Sequence, residues 1–119
     1  MAQSILVVDD DQDVSLMLKD RLTFLGFNVS TASNGAEAMP ILKTLTVDGI
    51  LLDIQIPVMD GMTMLEQVRE QDPSIPVIIM TAELNKKKLL QAMELGANDY
   101  LVKPIDADLL AKKCFTVFS

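Results

Sequence analysis

Five residues of this 119-residue chain have types and positions suited to joint chemistry: Asp9, Asp10, Asp53, Thr81 and Lys103. Each follows a short strand-like run, apolar in all but the last. Asp9 and Asp10 follow Ile5-Leu6-Val7-Val8, Asp53 follows Ile50-Leu51-Leu52, Thr81 closes Ile75-Pro76-Val77-Ile78-Ile79-Met80, and Lys103 closes Asp99-Tyr100-Leu101-Val102. Carboxylates brought close together repel, so either one takes up a proton or a cation neutralises them. A few carboxylates with water and a backbone carbonyl form an all-oxygen site that suits Mg²⁺. The carbonyl of Gln55, two residues past Asp53, is a reasonable further ligand. A metal ion and a lysine around a carboxylate are also the equipment of phosphoryl transfer, since both stabilise charge as the group moves onto an oxygen nucleophile. Aspartyl-phosphate is a covalent outcome open to such a carboxylate.

Each residue also has a plain reading. An aspartate at a strand end is usually a turn former or a helix cap. Asp9 to Asp11 match the positive end of a following helix, and for Asp11 and Asp13 that reading is preferred. Thr81 could simply end a strand, Lys103 could be a solvated edge lysine, and Tyr100 could be core with its hydroxyl at the surface. Capping does not explain why all of them arrive at one place.

The elements that bring them there follow from periodicity. Ile5–Val8, Ile50–Asp53 and Ile75–Met80 are continuous apolar runs bounded by turn formers, as expected of strands buried on both faces. Asn28–Ala32 and Asp99–Lys103 are mixed and read as sheet edges. Helices are expected between them. The first, over about Gln12 to Leu25, carries Val14, Met17, Leu18, Leu22 and Leu25 on one face, and Gly26 stops it. The second starts near Asn34, with Glu37 placed for a capping box, and Pro40 either kinks it or marks a late start. A turn on Pro57 and Gly61 precedes the third, over about Asp60 to Gln71, with Met62, Leu65 and Val68 inward. The fourth, Lys86 to Leu95, is expected to bury Leu89, Leu90 and Met93, and its opening Lys86-Lys87-Lys88 has the wrong sign for the helix dipole. Asp106 can cap the last, with Leu110, Cys114 and Val117 on one face. Strands alternating with helices imply an α/β fold with parallel pairing and right-handed crossovers. Ranking the strands by apolarity gives one five-stranded parallel sheet of order 2-1-3-4-5 with helices on both faces. All strand C-termini then lie at one edge, and the reversal between strands one and three forms the crevice where ligands sit in such sheets.

Composition removes several alternatives. The formal net charge of -7 repels phosphate backbones, so the domain is not expected to bind nucleic acid directly. Histidine is absent, which excludes histidine general bases, Ser-His triads and His-ligated zinc. Any phosphohistidine must therefore be on a partner. The lone Cys114 excludes an internal disulfide and reads as an ordinary buried thiol. No apolar run approaches the length of a membrane span, and the chain is expected to be cytoplasmic.

Val7-Val8-Asp9-Asp10, Leu52-Asp53-Ile54-Gln55-Ile56-Pro57-Val58-Met59-Asp60-Gly61, Met80-Thr81-Ala82 and Tyr100-Leu101-Val102-Lys103-Pro104 together resemble the receiver domain of bacterial two-component response regulators. The resemblance covers essentially the whole chain, 1–119, as one domain. CheY, known for the 2-1-3-4-5 order, is a member, so that topology is partly inherited from the family. The resemblance implies that Asp53 is the phosphoacceptor, taking a phosphoryl group from a sensor histidine kinase. Asp10, with Asp9 helping, would hold Mg²⁺ together with Asp53 and the Gln55 carbonyl. Thr81 would be the switch hydroxyl, Lys103 the lysine that pairs with the phosphoryl oxygens, and Tyr100 the aromatic that rotates into space vacated by Thr81. The Lys103-Pro104 bond would be cis. The face of the fourth helix, fifth strand and fifth helix would dimerise or engage an output domain. Such a domain is not an enzyme in the ordinary sense, acting only on itself by phosphoryl transfer and autodephosphorylation. Gln55 and Glu83 lie where members vary, at positions that affect how long the phosphoryl group stays. Asp9 and Asp11 also form a D-x-D after an apolar strand. That resembles haloacid-dehalogenase-type phosphatases, in which Asp9 would be the nucleophile; the chain is short for that family.

Overall fold

The structure, a computed structural model, describes residues 2–55, 60–82 and 86–118. Five strands alternate with five helices: β1 (Ser4–Val8), α1 (Gln12–Phe24), β2 (Asn28–Ala32), α2 (Gly35–Thr44), β3 (Gly49–Asp53), α3 (Gly61–Gln71), β4 (Val77–Thr81), α4 (Lys86–Glu94), β5 (Asp99–Val102) and α5 (Ala107–Val117). All strand pairs are parallel, in the order β2-β1-β3-β4-β5. The expected topology and both edge strands are therefore observed.

The pleat divides the core in two, because successive side chains of a strand point to opposite faces. Ile5 and Val7 of β1, with Leu51, Ile78, Met80 and Leu101, pack against Leu18 and Leu22 of α1 and Leu110, Cys114 and Phe118 at α5. Leu6 and Val8, with Ile50, Leu52, Val77 and Ile79, pack against α2, α3 and α4. β3 and β4 are buried along their whole length, as their unbroken apolar runs require.

The helix starts are set by side-chain caps. Asp11 accepts from the Asp13 and Val14 N–H groups, Asn34 from Glu37, Asp60 from Thr63 and Asp106 from Leu109. Glu37 returns a bond to the Ser33 N–H at 2.9 Å, one residue outside the capping-box position. Pro40 lies inside an unbroken α2. Pro40 and Ala36, whose carbonyl loses its partner, are both exposed, so water can replace the missing donor.

Two helix faces differ from expectation. In α3 the buried stripe is Met64, Leu65 and Val68, with Met62 only partly covered. In α4 only Ala92 is fully buried, while Leu90 is 63% and Met93 39% exposed. The apolar positions of α4 outnumber those that its packing onto the sheet can cover, so part of the stripe faces solvent. Pro57 and Glu83 lie outside the described residues.

Candidate functional site

The C-terminal edge of the sheet delivers the site residue by residue. β1 runs out at Val8, and the Asp9 N–H donates to the Ala32 carbonyl at the end of β2 (3.0 Å). Asp9 is buried. Its Oδ1 accepts from the Asp11 N–H at 2.9 Å, and the buried Ser15 hydroxyl donates to its carbonyl at 3.3 Å. Asp53 ends β3, also buried, with Oδ1 accepting from the Gln55 N–H at 2.8 Å. Thr81 ends β4 and is buried; Asp53 pairs with Met80, so Thr81 lies one residue further along the adjacent strand. The Lys103 N–H donates to the Thr81 carbonyl at 2.8 Å, continuing the ladder past β5, and the Lys103-Pro104 bond is cis.

Lys103 joins the two sides of the crevice. Its Nζ lies 2.6 Å from Asp9 Oδ2 and 2.8 Å from Asp53 Oδ2. Burial alone would lower the pKa of this ammonium, but its hydrogen bonds to Asp53 and Asp9, and their charges, hold it above the ordinary 10.5. The stability it contributes is whole below 10.5 and is lost only as pH rises through the higher folded value. Burial raises the Asp9 carboxyl above 3.8, outweighing the Lys103 and Asp11 hydrogen bonds.

Asp10 is exposed, and one carboxylate oxygen from each of Asp9, Asp10 and Asp53 lies within 4.8 Å of the other two. Among the described residues, two buried carboxylates and one exposed carboxylate gather around one ammonium, so the cluster carries surplus negative charge. An oxygen-only donor set of this charge fits a hard divalent cation such as Mg²⁺.

α3 approaches the site closely. A Cβ on Gly61 would stand 2.4 Å from the Ile54 Cα and 2.6 Å from the Asp53 carbonyl oxygen, so only glycine lets the helix start against the Asp53 backbone. The sequence marked Gly61 as a turn former but gave no sign of this contact. It also gave no sign of Ser15, a helical serine turned to the Asp9 carbonyl. Tyr100 is half-buried and pairs with Ile79 in the ladder, beside the acidic cluster rather than in it.

The crevice at the strand ends and the doubly wound sheet define a small parallel α/β domain with an acidic site at its carboxyl edge. Residues 5–115 match the family model of the response regulator receiver domain, and the chain belongs to that family. It is 42% identical over 109 residues to the transcriptional regulatory protein PrrA of Mycobacterium leprae, covering 91% of this chain and 47% of that protein. It is 42% identical over 102 residues to the DNA-binding transcriptional regulator NtrC of Escherichia coli, covering 86% of this chain and 22% of that protein. The chain thus spans less than half the length of these relatives. Among solved structures, the chemotaxis protein CheY4 of Vibrio cholerae superposes with a TM-score of 0.94 at 30% identity, covering 98% of this chain and 99% of that one. No described helix is long and apolar enough to cross a membrane.

Proposed function

We propose that this receiver takes a phosphoryl group from a phosphohistidine of a sensor kinase onto a carboxylate oxygen of Asp53. The N–P bond of the donor breaks, an O–P bond to Asp53 forms, and the imidazole nitrogen leaves with the electron pair. The observation that carries the reading is the Lys103 ammonium, 2.8 Å from the Asp53 carboxylate at the end of β3. A cation held there is placed to pair with phosphoryl oxygens once they arrive. Asp10, Asp9, Asp53 and the Gln55 carbonyl would hold Mg²⁺, which would neutralise charge on the transferring group.

Thr81, at the end of the adjacent strand, is the hydroxyl proposed to bond the added phosphoryl oxygens, with Tyr100 following it. The surface of α4, β5 and α5 would read the change, by dimerisation or by binding an output domain. Leu90, Met93, Val102 and Leu109 on these elements are 37 to 63% exposed, which supports a role in contact. The phosphatase reading is not favoured. Asp9's side chain has no exposed surface, whereas Asp53's keeps 6%.

The test is incubation with Mg²⁺ and acetyl phosphate, followed by intact mass and peptide mapping. One phosphoryl adduct on Asp53 is expected, lost in Asp53→Asn and with chelator. Labelling at Asp9, or none, would refute the assignment.

A further inference from the structure

The free side of β5 carries a second ionic cluster that phosphoryl chemistry does not use. Lys113 of α5 donates from Nζ to Asp99 Oδ1 at 3.0 Å and to the Tyr100 carbonyl, and its ammonium stands 4.4 Å from the centre of the Tyr100 ring. Asp99 Oδ1 also accepts from the Tyr100 N–H at 2.8 Å. One carboxylate oxygen and one ammonium therefore hold both backbone groups of Tyr100 and the face of its ring. The pair is sheltered, with Lys113 19% and Asp99 32% exposed.

β5 is an edge strand, and its outward backbone groups need cover. The two backbone hydrogen bonds would suffice for that. The ammonium over the ring adds an orienting term, because a cation is attracted to the ring face and the attraction is lost when the ring turns away. The ring packs in part against the core on the α4 side, while Lys113 comes from α5, whose buried residues pack on the opposite side of the sheet. Tyr100 is thus gripped at the sheet's rim, three residues before Lys103.

We propose that Lys113 is a positioning residue that latches the Tyr100 ring at the rim, directly through the ring face and indirectly through Asp99 and the Tyr100 carbonyl, and so opposes the movement of that ring when Asp53 is phosphorylated. The proposal rests on the reading of Asp53 as phosphoacceptor and of Tyr100 as the residue that moves. It makes Lys113 a setting of the switching threshold. Removing the ammonium eases the ring's release, while the phosphoryl site itself is untouched.

Tyr100 is the only tyrosine and the chain has no tryptophan. Protein grown with 3-fluorotyrosine therefore gives one ¹⁹F resonance that reports this ring alone. The experiment titrates wild type, Lys113→Met and Lys113→Arg with beryllofluoride in Mg²⁺ as the phosphoryl mimic, with thermal stability measured in parallel. In Lys113→Met the unliganded resonance is expected to lie already shifted toward the liganded position, and half-saturation to fall roughly two- to five-fold. Lys113→Arg, which keeps a cation on the ring, should stay near wild type. A Lys113→Met protein with wild-type resonance and half-saturation overturns the latch, even if its stability drops, and leaves Lys113 as an edge brace. A wild-type resonance that stays still while acetyl phosphate modifies Asp53 also overturns the latch alone. Failure of both beryllofluoride and acetyl phosphate removes the phosphoacceptor reading and the latch with it.

Discussion

The two ends of the sheet each hold a half-buried cation, and they use it differently. At the N-terminal end, Arg69 of α3 donates from Nε and Nη2 to the Gly96 carbonyl at 3.0 and 2.7 Å, and from Nη2 to Asn98 Oδ1 at 3.1 Å. Asn98 Oδ1 in turn accepts from the Val77 N–H at 2.9 Å, pinning the start of β4. These acceptors are neutral, and the guanidinium fork fills a fixed set of positions. At the C-terminal end Lys103 meets Asp9 and Asp53, with Asp10 alongside, and negative charge is left over. The first arrangement is closed and serves the fold. The second is charge-unbalanced, so the proposed cation and phosphoryl group would change it on entering.

This contrast predicts a graded series. Lys103→Met should be the most damaging, since it leaves Asp9 and Asp53 without their ammonium. A loss of about 2–3 kcal/mol in denaturant unfolding is expected, below the usual range for a buried pair because Lys103 is 18% exposed. Mg²⁺ should restore more stability to this variant than it adds to wild type. An equal Mg²⁺ effect in both would mean the surplus charge is not what the ion answers. Gly61→Ala comes next, at about 2 kcal/mol, because the added methyl meets backbone of Asp53 and Ile54 and one of them must move. At the other end, Gly49→Ala meets the ring of Phe118, itself fully buried and packed against Phe27, so core side chains must shift at a similar cost of about 2 kcal/mol. Of the two glycine variants, only Gly61→Ala should lower phosphoryl uptake. Arg69→Met should cost about 1.5 kcal/mol through lost charge-assisted bonds, with no change in Mg²⁺ response.

The smallest effect concerns Cys114, packed with Leu110 and Phe118, whose thiol burial pushes up to about 12. The folded protein should leave a disulfide reagent unreacted at pH 8 and react once denatured. Because the folded value is raised, any stability linked to this thiol is whole below 9.0 and fades as pH rises toward 12.

Much of this was legible in the chain. The apolar runs at β1, β3 and β4 stated both the strands and their central places, and each chemical residue stood directly at the end of a run. Legibility failed where packing or distance decided. Leu90 and Met93 have helical spacing, but α4 lacks sheet surface to cover them. Arg69 reaches Gly96 across 27 residues, and no local period encodes such a bond. Lys113 looked like any lysine of an amphipathic helix until its fold position put it over Tyr100.

The 2.8 Å bond from the Lys103 N–H to the Thr81 carbonyl has a mechanical meaning. The hydroxyl and the ammonium proposed to greet an incoming phosphoryl group are mounted on two paired strands whose ladder this bond extends to the very residues that carry them. A backbone shift at one strand end is therefore handed to the other, while each side chain still turns about its own bonds.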